Sequence, residues 1–118
     1  RFGIHFGAKT ETFFGLSGMG DLVVTCTSEH SRNHAAGLLL AQGKTAEEIV
    51  SGTKMVVEGI RTAGIVHEIA EREGIEMPIT EEVCRVLRGE CTAMESLEHL
   101  MSRAKKSETE VFLNGNGC

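Results

Sequence analysis

The chain has 118 residues, of which 41% are apolar and 25% charged, and its formal net charge is −5 at pH 7. This length suits one domain of ordinary globular composition, and the negative charge argues against a nucleic-acid partner, which would need a basic face. The longest apolar run, residues 35–41, is far shorter than the ~20 residues of a membrane span, and no secretory signal is visible, so we expect a soluble cytoplasmic protein.

The first residues predict the end of a helix. Phe2 and Phe6 have the four-residue spacing of one buried helical face, and Gly7 suits the position that follows a helix end. Because the sequence begins inside this pattern, at Arg1 rather than at a methionine, we expect it to be a piece of a longer protein.

A glycine-rich stretch comes next, after a short capped helix predicted over residues 10–14. It reads GLSGMGDLVVTCTSEHSRN over residues 15–33. The glycines at 15, 18 and 20 allow tight turns or a close approach to a ligand. Residues 22–24 fit a buried strand or a helix, and we favour a helix because no partner strand is visible.

Capping residues divide the middle of the chain into helices. Ser28 is the predicted N-cap of a helix over residues 28–42, which Gly43 closes. Thr45 and Glu48 form a capping box, so a second helix begins there and runs to about residue 51.

Three further helices are predicted after residue 55. A long one covers residues 56–73 and is closed by Gly74. Pro78 blocks its continuation, and Thr80 caps a helix over residues 81–88. A second capping box, Thr92 with Glu95, begins a last helix that runs to about residue 103.

The spacing of apolar residues predicts a buried face on three of these helices. The three faces consist of Ala35, Ala36, Leu38 and Leu39; of Val56, Ile60, Ala63, Val66 and Ala70; and of Leu97, Leu100 and Met101. The sequence therefore predicts an all-α, compact domain of six or seven helices over residues 1–103, followed by a flexible tail over residues 104–118. The segment GLSGMG does not indicate a dinucleotide fingerprint, because that motif needs a preceding strand.

Four cysteines, Cys26, Cys84, Cys91 and Cys118, include no CxxC pair. We expect free thiols in a reducing compartment. A disulfide between Cys84 and Cys91 stays open as an alternative.

Asp21 and the triplet of Ser31, Arg32 and Asn33 are the candidate functional residues of the glycine-rich stretch. A carboxylate can accept hydrogen bonds from a substrate hydroxyl or orient a base, although Asp after a glycine is also a frequent helix N-cap. Arg32 carries a planar fork of donors that suits phosphate, and a cation at a helix start opposes the helix dipole, which disfavours a purely structural role.

Glu58 and Val56 are candidates for contacts with a ligand that carries a ribose. A glutamate in a first helical turn can accept hydrogen bonds from ribose hydroxyls, or it can simply be favoured there by the dipole, with Val56 in the core. A zinc site built on Cys26, His30 and His34 is disfavoured, because a structural zinc needs four ligands and only Asp21 is left to complete the set. We therefore expect no metal.

The motif GxGDLVVTCxSxxSRN, together with residues 56–59 (VVEG) and 76–80 (EMPIT), resembles the C-terminal domain of bacterial-type NAD(P)-dependent glycerol-3-phosphate dehydrogenases. The resemblance covers residues 7–103. It implies a helical fold like the C-terminal domain of 6-phosphogluconate and glycerol-3-phosphate dehydrogenases. It also implies interconversion of dihydroxyacetone phosphate and sn-glycerol 3-phosphate, a precursor of glycerophospholipids, with NAD or NADP as cofactor.

Site residues follow from the same resemblance. It implies that Asp21 lies in the active site and binds substrate, and that Ser31, Arg32 and Asn33 hold the substrate phosphate. Contacts to the cofactor would come from Arg32, Val56 and Glu58.

The resemblance also implies what lies outside the chain. An N-terminal Rossmann domain would carry the cofactor, and the general acid/base lysine would precede residue 1, so neither Lys9 nor Lys44 takes that role. We expect this chain alone to be inactive, to expose an apolar docking surface or self-associate, and to have a homodimer as a possible assembly. The rival prediction is a non-catalytic all-α interaction domain.

Overall fold

The computed structural model of the chain describes residues 1–28, 31–52 and 57–103, and every regular element in these ranges is helical. The α-helices are α1 (Phe2–His5), α2 (Thr10–Phe14), α3 (Asp21–Thr27), α4 (Arg32–Ala41), α5 (Ala46–Gly52), α6 (Glu58–Glu73), α7 (Pro78–Leu87) and α8 (Ala93–Ser102). A π-helical turn, Leu16–Gly20, joins α2 to α3. The all-α prediction is confirmed, while the helix count was low because residues 1–27 divide into several short elements. The predicted tail, residues 104–118, lies outside the described residues.

The core lies where the longer helices meet. α4 contacts α5, α6 and α8, and α7 contacts both α6 and α8. Four helices each contribute one buried apolar side chain: Ala36, Ile49, Ala70 and Cys84. The Cys84 thiol donates a hydrogen bond to the Ala63 carbonyl oxygen at 3.3 Å, which ties α7 to α6. Burial raises the pKa of this thiol above its ordinary value, so Cys84 is a structural rather than a reactive cysteine.

Both predicted capping boxes are present. In α5 the Thr45 N–H donates to Glu48 at 2.8 Å, and the Glu48 N–H donates to the Thr45 hydroxyl at 3.1 Å. The corresponding distances at Thr92 and Glu95 are 2.7 and 3.2 Å. Left-handed glycines at 43 and 74 follow α4 and α6, as predicted, and a third at 89 follows α7.

Three other capping predictions were wrong. Ser28 follows the end of α3 in extended conformation, and the N-cap of α4 is Ser31. Pro78 is the first residue of α7, a position where its missing N–H has no helical partner, so Thr80 lies inside the helix. The N-cap position of α2 is Lys9, which makes no side-chain capping bond.

The predicted buried faces were correct in α6 and only partly correct elsewhere. Ile60, Ala63 and Val66 are half-buried and Ala70 is buried; Val56 lies outside the described residues. In α4 only Ala36 is buried, and Leu38 is 54% exposed. In α8 the small Ser96 faces the core, whereas Met101 is 78% exposed, because α8 packs through a neighbouring face.

In the glycine-rich stretch, the structure shows why position 18 requires a glycine. A Cβ at Gly18 would collide with the backbone of Phe13, so the π-helical turn packs directly against α2. Gly15 and Gly20 have negative φ values of −84° and −61°. Gly18 therefore permits close packing, and neither Gly15 nor Gly20 forms a left-handed turn.

The first helix packs less deeply than predicted. The Phe2 and Phe6 rings do pair, with centroids 5.1 Å apart, but Phe6 is exposed. His5 Nε2 lies 3.4 Å from a carboxylate oxygen of Glu73, which links α1 to the end of α6. No helix in the described ranges is both long and apolar enough to cross a membrane.

Candidate anion-binding site

The first turn of α4 is the centre of the candidate site. The Ser31 hydroxyl accepts a hydrogen bond from the His34 N–H at 3.3 Å, and the Ser31 carbonyl accepts from the Ala35 N–H at 3.0 Å. The backbone N–H groups of Arg32 and Asn33 have no acceptor in the described part of the chain. Since the Ser31 hydroxyl only accepts within the cap, its own hydrogen remains available to a ligand. This turn therefore offers several donors and the positive end of a helix dipole.

Arg32 is the first residue of α4, and its side chain is exposed. It makes no ion pair with any residue that the structure describes. A cation at this position is opposed by the helix dipole, and a bound anion would reverse that unfavourable interaction. Among the described residues the guanidinium thus has no anionic partner, at a position where a bound phosphate would stabilise it.

Asn33 joins the start of α4 to the start of α6. Its side-chain oxygen Oδ1 accepts a hydrogen bond from the Gly59 N–H at 3.0 Å, across 26 residues of sequence. Gly59 directly follows Glu58, the first residue of α6, whose side chain is exposed. Two predicted groups, the Ser31–Asn33 triplet and Glu58, are therefore brought to the same end of the helical core.

Asp21 is the first residue of α3 and is exposed. Its side chain caps no helix, so the capping alternative was wrong. The carboxylate has no hydrogen bond or ion pair within the described ranges. No contact joins Asp21 to Arg32 there either, and their convergence on one ligand stays a prediction.

Two predicted positions fall outside the described residues. Val56 is one, so its cofactor contact is not tested. His30 is the other, which leaves the Cys26–His30–His34 alternative untested as a set. Among the residues that are described, no three metal-ligating side chains come together. Cys26, Cys84 and Cys91 are all free, so the disulfide between Cys84 and Cys91 is not formed.

An acidic and basic cluster between α7 and α8 was missed by sequence reasoning. Arg85 donates to Glu82 at 3.0 Å and lies 3.1 Å from His99, while the Glu82 side chain is only 12% exposed. Burial opposes ionisation of Glu82, but the hydrogen bond and charge of Arg85, with a smaller contribution from His99, hold the pKa of this carboxyl below its ordinary value. The cluster is a structural link between helices, distant in sequence from the candidate site.

The expected exposed apolar surface lies on α2, the π-helical turn and α3, a location that the sequence did not predict. Its members, here named the α2–α3 apolar surface, are Phe13, Phe14, Leu16, Met19, Leu22, Val23 and Val24. Leu16 is 91% exposed, an extreme value for a leucine. Asp21 lies in the middle of this stretch. Seven exposed large apolar side chains within residues 13–24 are typical of a contact with another protein surface.

Comparison with known proteins agrees with the resemblance drawn from the motif. The sequence profile of the family described as NAD-dependent glycerol-3-phosphate dehydrogenase C-terminus matches residues 1–98. A glycerol-3-phosphate dehydrogenase (NAD(P)+) of Clostridium perfringens is 54% identical over 108 residues, which cover 92% of this chain and 33% of that protein. A protein of the same description from Staphylococcus epidermidis is 52% identical over 108 residues, covering 92% of this chain and 32% of its own length.

The fold has a match among crystal structures. Glycerol-3-phosphate dehydrogenase from Coxiella burnetii superposes with a TM-score of 0.82 at 38% sequence identity, covering 87% of this chain and 32% of that one. The chain thus spans about a third of the length of the relatives that it matches. With the motif, the helical fold and the profile in agreement, the chain belongs to the family of NAD-dependent glycerol-3-phosphate dehydrogenase C-terminal domains.

Proposed function

We propose that this chain is the substrate-binding part of an NAD(P)-dependent glycerol-3-phosphate dehydrogenase, which interconverts dihydroxyacetone phosphate and sn-glycerol 3-phosphate, a glycerophospholipid precursor. The observation that carries the proposal is the first turn of α4, where the Arg32 side chain and two backbone N–H groups have no partner among the described residues and lie beside the start of α6. The choice of reaction is supported by the family to which the chain belongs. In that reaction the nicotinamide cofactor provides a hydride to the carbonyl carbon, and a proton is added to the oxygen.

In this proposal the α4 turn anchors the substrate phosphate. Arg32 binds it as a bidentate, charge-assisted partner, and the Ser31 hydroxyl and the side-chain nitrogen of Asn33 donate to it. Asp21 accepts a hydrogen bond from a substrate hydroxyl or orients the base. Anchoring the phosphate restricts the reactive carbonyl to one orientation, which is the way in which remote binding groups lower a barrier.

The cofactor, NAD or NADP, would lie against Arg32, Val56 and Glu58. The carboxylate of Glu58 is exposed in the first turn of α6 and can accept hydrogen bonds from ribose hydroxyls. We assign the dinucleotide-binding Rossmann fold and the general acid/base lysine to the two thirds of the relatives' length that this chain does not span. The α2–α3 apolar surface is the proposed docking face for that part, and the assembled enzyme is proposed to be cytoplasmic.

An activity assay tests this proposal. A full-length dehydrogenase that contains these 118 residues is expected to oxidise NADH or NADPH when dihydroxyacetone phosphate is added, and the 118-residue chain alone is not. Turnover by the chain alone would contradict the assignment of the lysine and cofactor fold to the other part. No turnover by the full-length protein would favour the rival, a non-catalytic interaction domain that uses the α2–α3 apolar surface.

Sizing chromatography over a concentration series separates the two roles of that surface. If it is the docking face, the isolated chain is expected to self-associate as its concentration rises, and the full-length protein is not expected to do so through this face. A full-length homodimer would persist on dilution and in variants with polar residues in place of Leu16 and Val24.

A further inference from the structure

The longest described helix, α6, has no N-cap of its own. The residue at its N-cap position is Val57, whose side chain can accept no hydrogen bond. The helices α4, α5 and α8, in contrast, begin after Ser31, Thr45 and Thr92, whose hydroxyls accept from the first turn. In α6 the Ile60 N–H donates a hydrogen bond to the Val57 carbonyl at 3.3 Å. The Gly59 N–H needs an acceptor from outside the helix.

Asn33 is that partner. Its Oδ1 accepts from the Gly59 N–H at 3.0 Å, the same kind of bond that a cap residue would accept from its own helix. Because the Gly59 group is a donor, the oxygen of the carboxamide must face it, and the nitrogen Nδ2 is left as a donor without a partner in the described ranges. The hydrogen bond therefore fixes the orientation of the whole side chain.

Gly59 is matched to this contact. The three nearest atoms that a Cβ at Gly59 would meet all belong to the Asn33 side chain, and the approach of Oδ1 is closer than a real Cβ allows. In the first turn of a helix, glycine is otherwise a poor choice. The absence of a side chain at this position lets α4 supply the cap of α6.

We propose that Asn33 is a positioning residue that caps α6 from α4 through Gly59 and thereby fixes the spacing between the phosphate-binding turn and Glu58. This inference rests on the proposed function and extends it. Substrate and cofactor would contact two helix starts that one hydrogen bond holds together, so loss of that bond would disturb both binding steps. A residue that only bound phosphate would affect the substrate alone.

The test uses a full-length dehydrogenase that contains this chain, with the variants Asn33→Ala, Asn33→Asp, Gly59→Ala and the double variant Asn33→Ala/Gly59→Ala. Gly64→Ala on the same helix is the matched control, since a Cβ there meets no atom within 4 Å. Amide hydrogen exchange of the segment 57–60 reports the cap directly. The KM for dihydroxyacetone phosphate and the KM for the nicotinamide cofactor report the two binding steps.

Asn33→Ala is expected to speed exchange at residues 57–60 and to raise both KM values by ~10-fold, the factor that corresponds to the loss of one helix cap. Asn33→Asp keeps an acceptor for the Gly59 N–H, so it is expected to retain slow exchange while still raising the KM for the phosphorylated substrate. Gly59→Ala, at a residue to which no ligand contact is assigned, is expected to raise both KM values in the presence of Asn33 because its Cβ would collide with the Asn33 side chain. In the Asn33→Ala background the same change is expected to have little effect, because the colliding side chain is gone.

Three results would overturn the proposal in distinguishable ways. Unchanged exchange at residues 57–60 in Asn33→Ala would show that Asn33 does not cap α6. Faster exchange with only the substrate KM raised would show that the cap does not position the cofactor side. If the enzyme has no activity on dihydroxyacetone phosphate while exchange still responds to Asn33→Ala, the proposed function fails and the positioning role with it, although the capping contact stands.

Discussion

A terminal guanidinium nitrogen of Arg85 lies 3.1 Å from Nδ1 of His99, and this contact joins α7 to α8. The same Nδ1 also lies 3.5 Å from Oε2 of Glu82, so it can accept from Arg85 when the ring is neutral or pair with Glu82 when the ring is protonated. Glu82 accepts from the same guanidinium nitrogen at 3.0 Å and is itself nearly buried. Its second oxygen, Oε2, has no hydrogen-bond partner among the described residues. The stability of the α7–α8 pair therefore depends on the charge of Glu82.

The first prediction concerns acid stability. The folded protein lowers the pKa of Glu82 from the ordinary value of 4.5, so its contribution is complete above that pH and is lost as the pH falls through the lower, folded pKa. The free energy of unfolding, measured in urea from pH 6 downwards, is expected to fall in the unmodified protein and to fall less in Glu82→Gln. Glu48, Glu73 and Glu95 also have lowered pKa values, so part of the fall in the free energy of unfolding will remain in Glu82→Gln.

Glu81→Gln is the control for that measurement, because Glu81 is exposed and makes no ion pair in the described ranges. Its acid profile is expected to follow that of the unmodified protein. An equal decline for Glu82→Gln and the unmodified protein would mean that Arg85 and His99 do not stabilise the ionised carboxyl.

The second prediction concerns the two capping boxes. Thr45→Ala and Thr92→Ala each leave a first-turn N–H without its acceptor, so each is expected to lower the free energy of unfolding by ~1 kcal/mol. The two effects should add, because the two threonines cap different helices and their capping hydrogen bonds share no partner. Thr62→Ala, at an exposed position inside α6, is the control and should change stability by less than about 0.5 kcal/mol. Urea unfolding of the unmodified protein, the three single variants and the Thr45→Ala/Thr92→Ala double variant checks this. A loss of stability in Thr62→Ala as large as in the others would refute the capping explanation.

The third prediction compares two glycines. Gly18→Ala places a Cβ against the backbone of Phe13 and is expected to destabilise the fold by about 1–3 kcal/mol, as overpacking does. Gly37→Ala lies inside α4 with open space around the new Cβ, and it is expected to stabilise the fold by roughly 0.5–1 kcal/mol. Thermal unfolding of the two variants decides the matter, and the same sign of change in both would contradict the packing of the π-helical turn against α2.

Local signals were readable from the sequence, and contacts between distant segments were not. The capping boxes at Thr45 and Thr92 and the left-handed Gly74 depend on residues three or four apart, so the sequence predicts them directly. The misplaced N-cap of α4 shows the limit, because Ser28 and Ser31 both fit the local rule. Only the end of α3 at Thr27 selects between them.

In the candidate site, too, the local features could be predicted from the sequence and the contact between distant segments could not. Ser31, Arg32 and Asn33 are visible as a polar triplet, and the motif resemblance predicts their role. The bond from Gly59 to Asn33 spans 26 residues and could not be derived from spacing. Its one local signal is a glycine where a helix begins, which indicates a close approach without naming the partner. The α8 face was misjudged for a related reason, since apolar spacing shows a stripe but not which side meets the core.

The proposed role of Arg32 is tested most directly by substrate preference. In a full-length dehydrogenase that contains this chain, kcat/KM is measured for dihydroxyacetone phosphate and for unphosphorylated dihydroxyacetone, with Arg32→Ala and with Arg88→Ala as the control. Arg88 is an exposed arginine that follows α7 and pairs with Glu90 at 3.6 Å.

If Arg32 anchors the phosphate, its loss removes about 2–4 kcal/mol of charge-assisted binding, so Arg32→Ala should lower kcat/KM for the phosphorylated substrate by roughly 30- to 1000-fold. With the nicotinamide cofactor at saturating concentration, so that the proposed contact of Arg32 with the cofactor does not limit the rate, activity on unphosphorylated dihydroxyacetone should change only a few-fold. Arg88→Ala should leave both values near those of the unmodified enzyme. Equal losses on both substrates, or no loss on the phosphorylated one, would contradict the assignment of Arg32 to the phosphate.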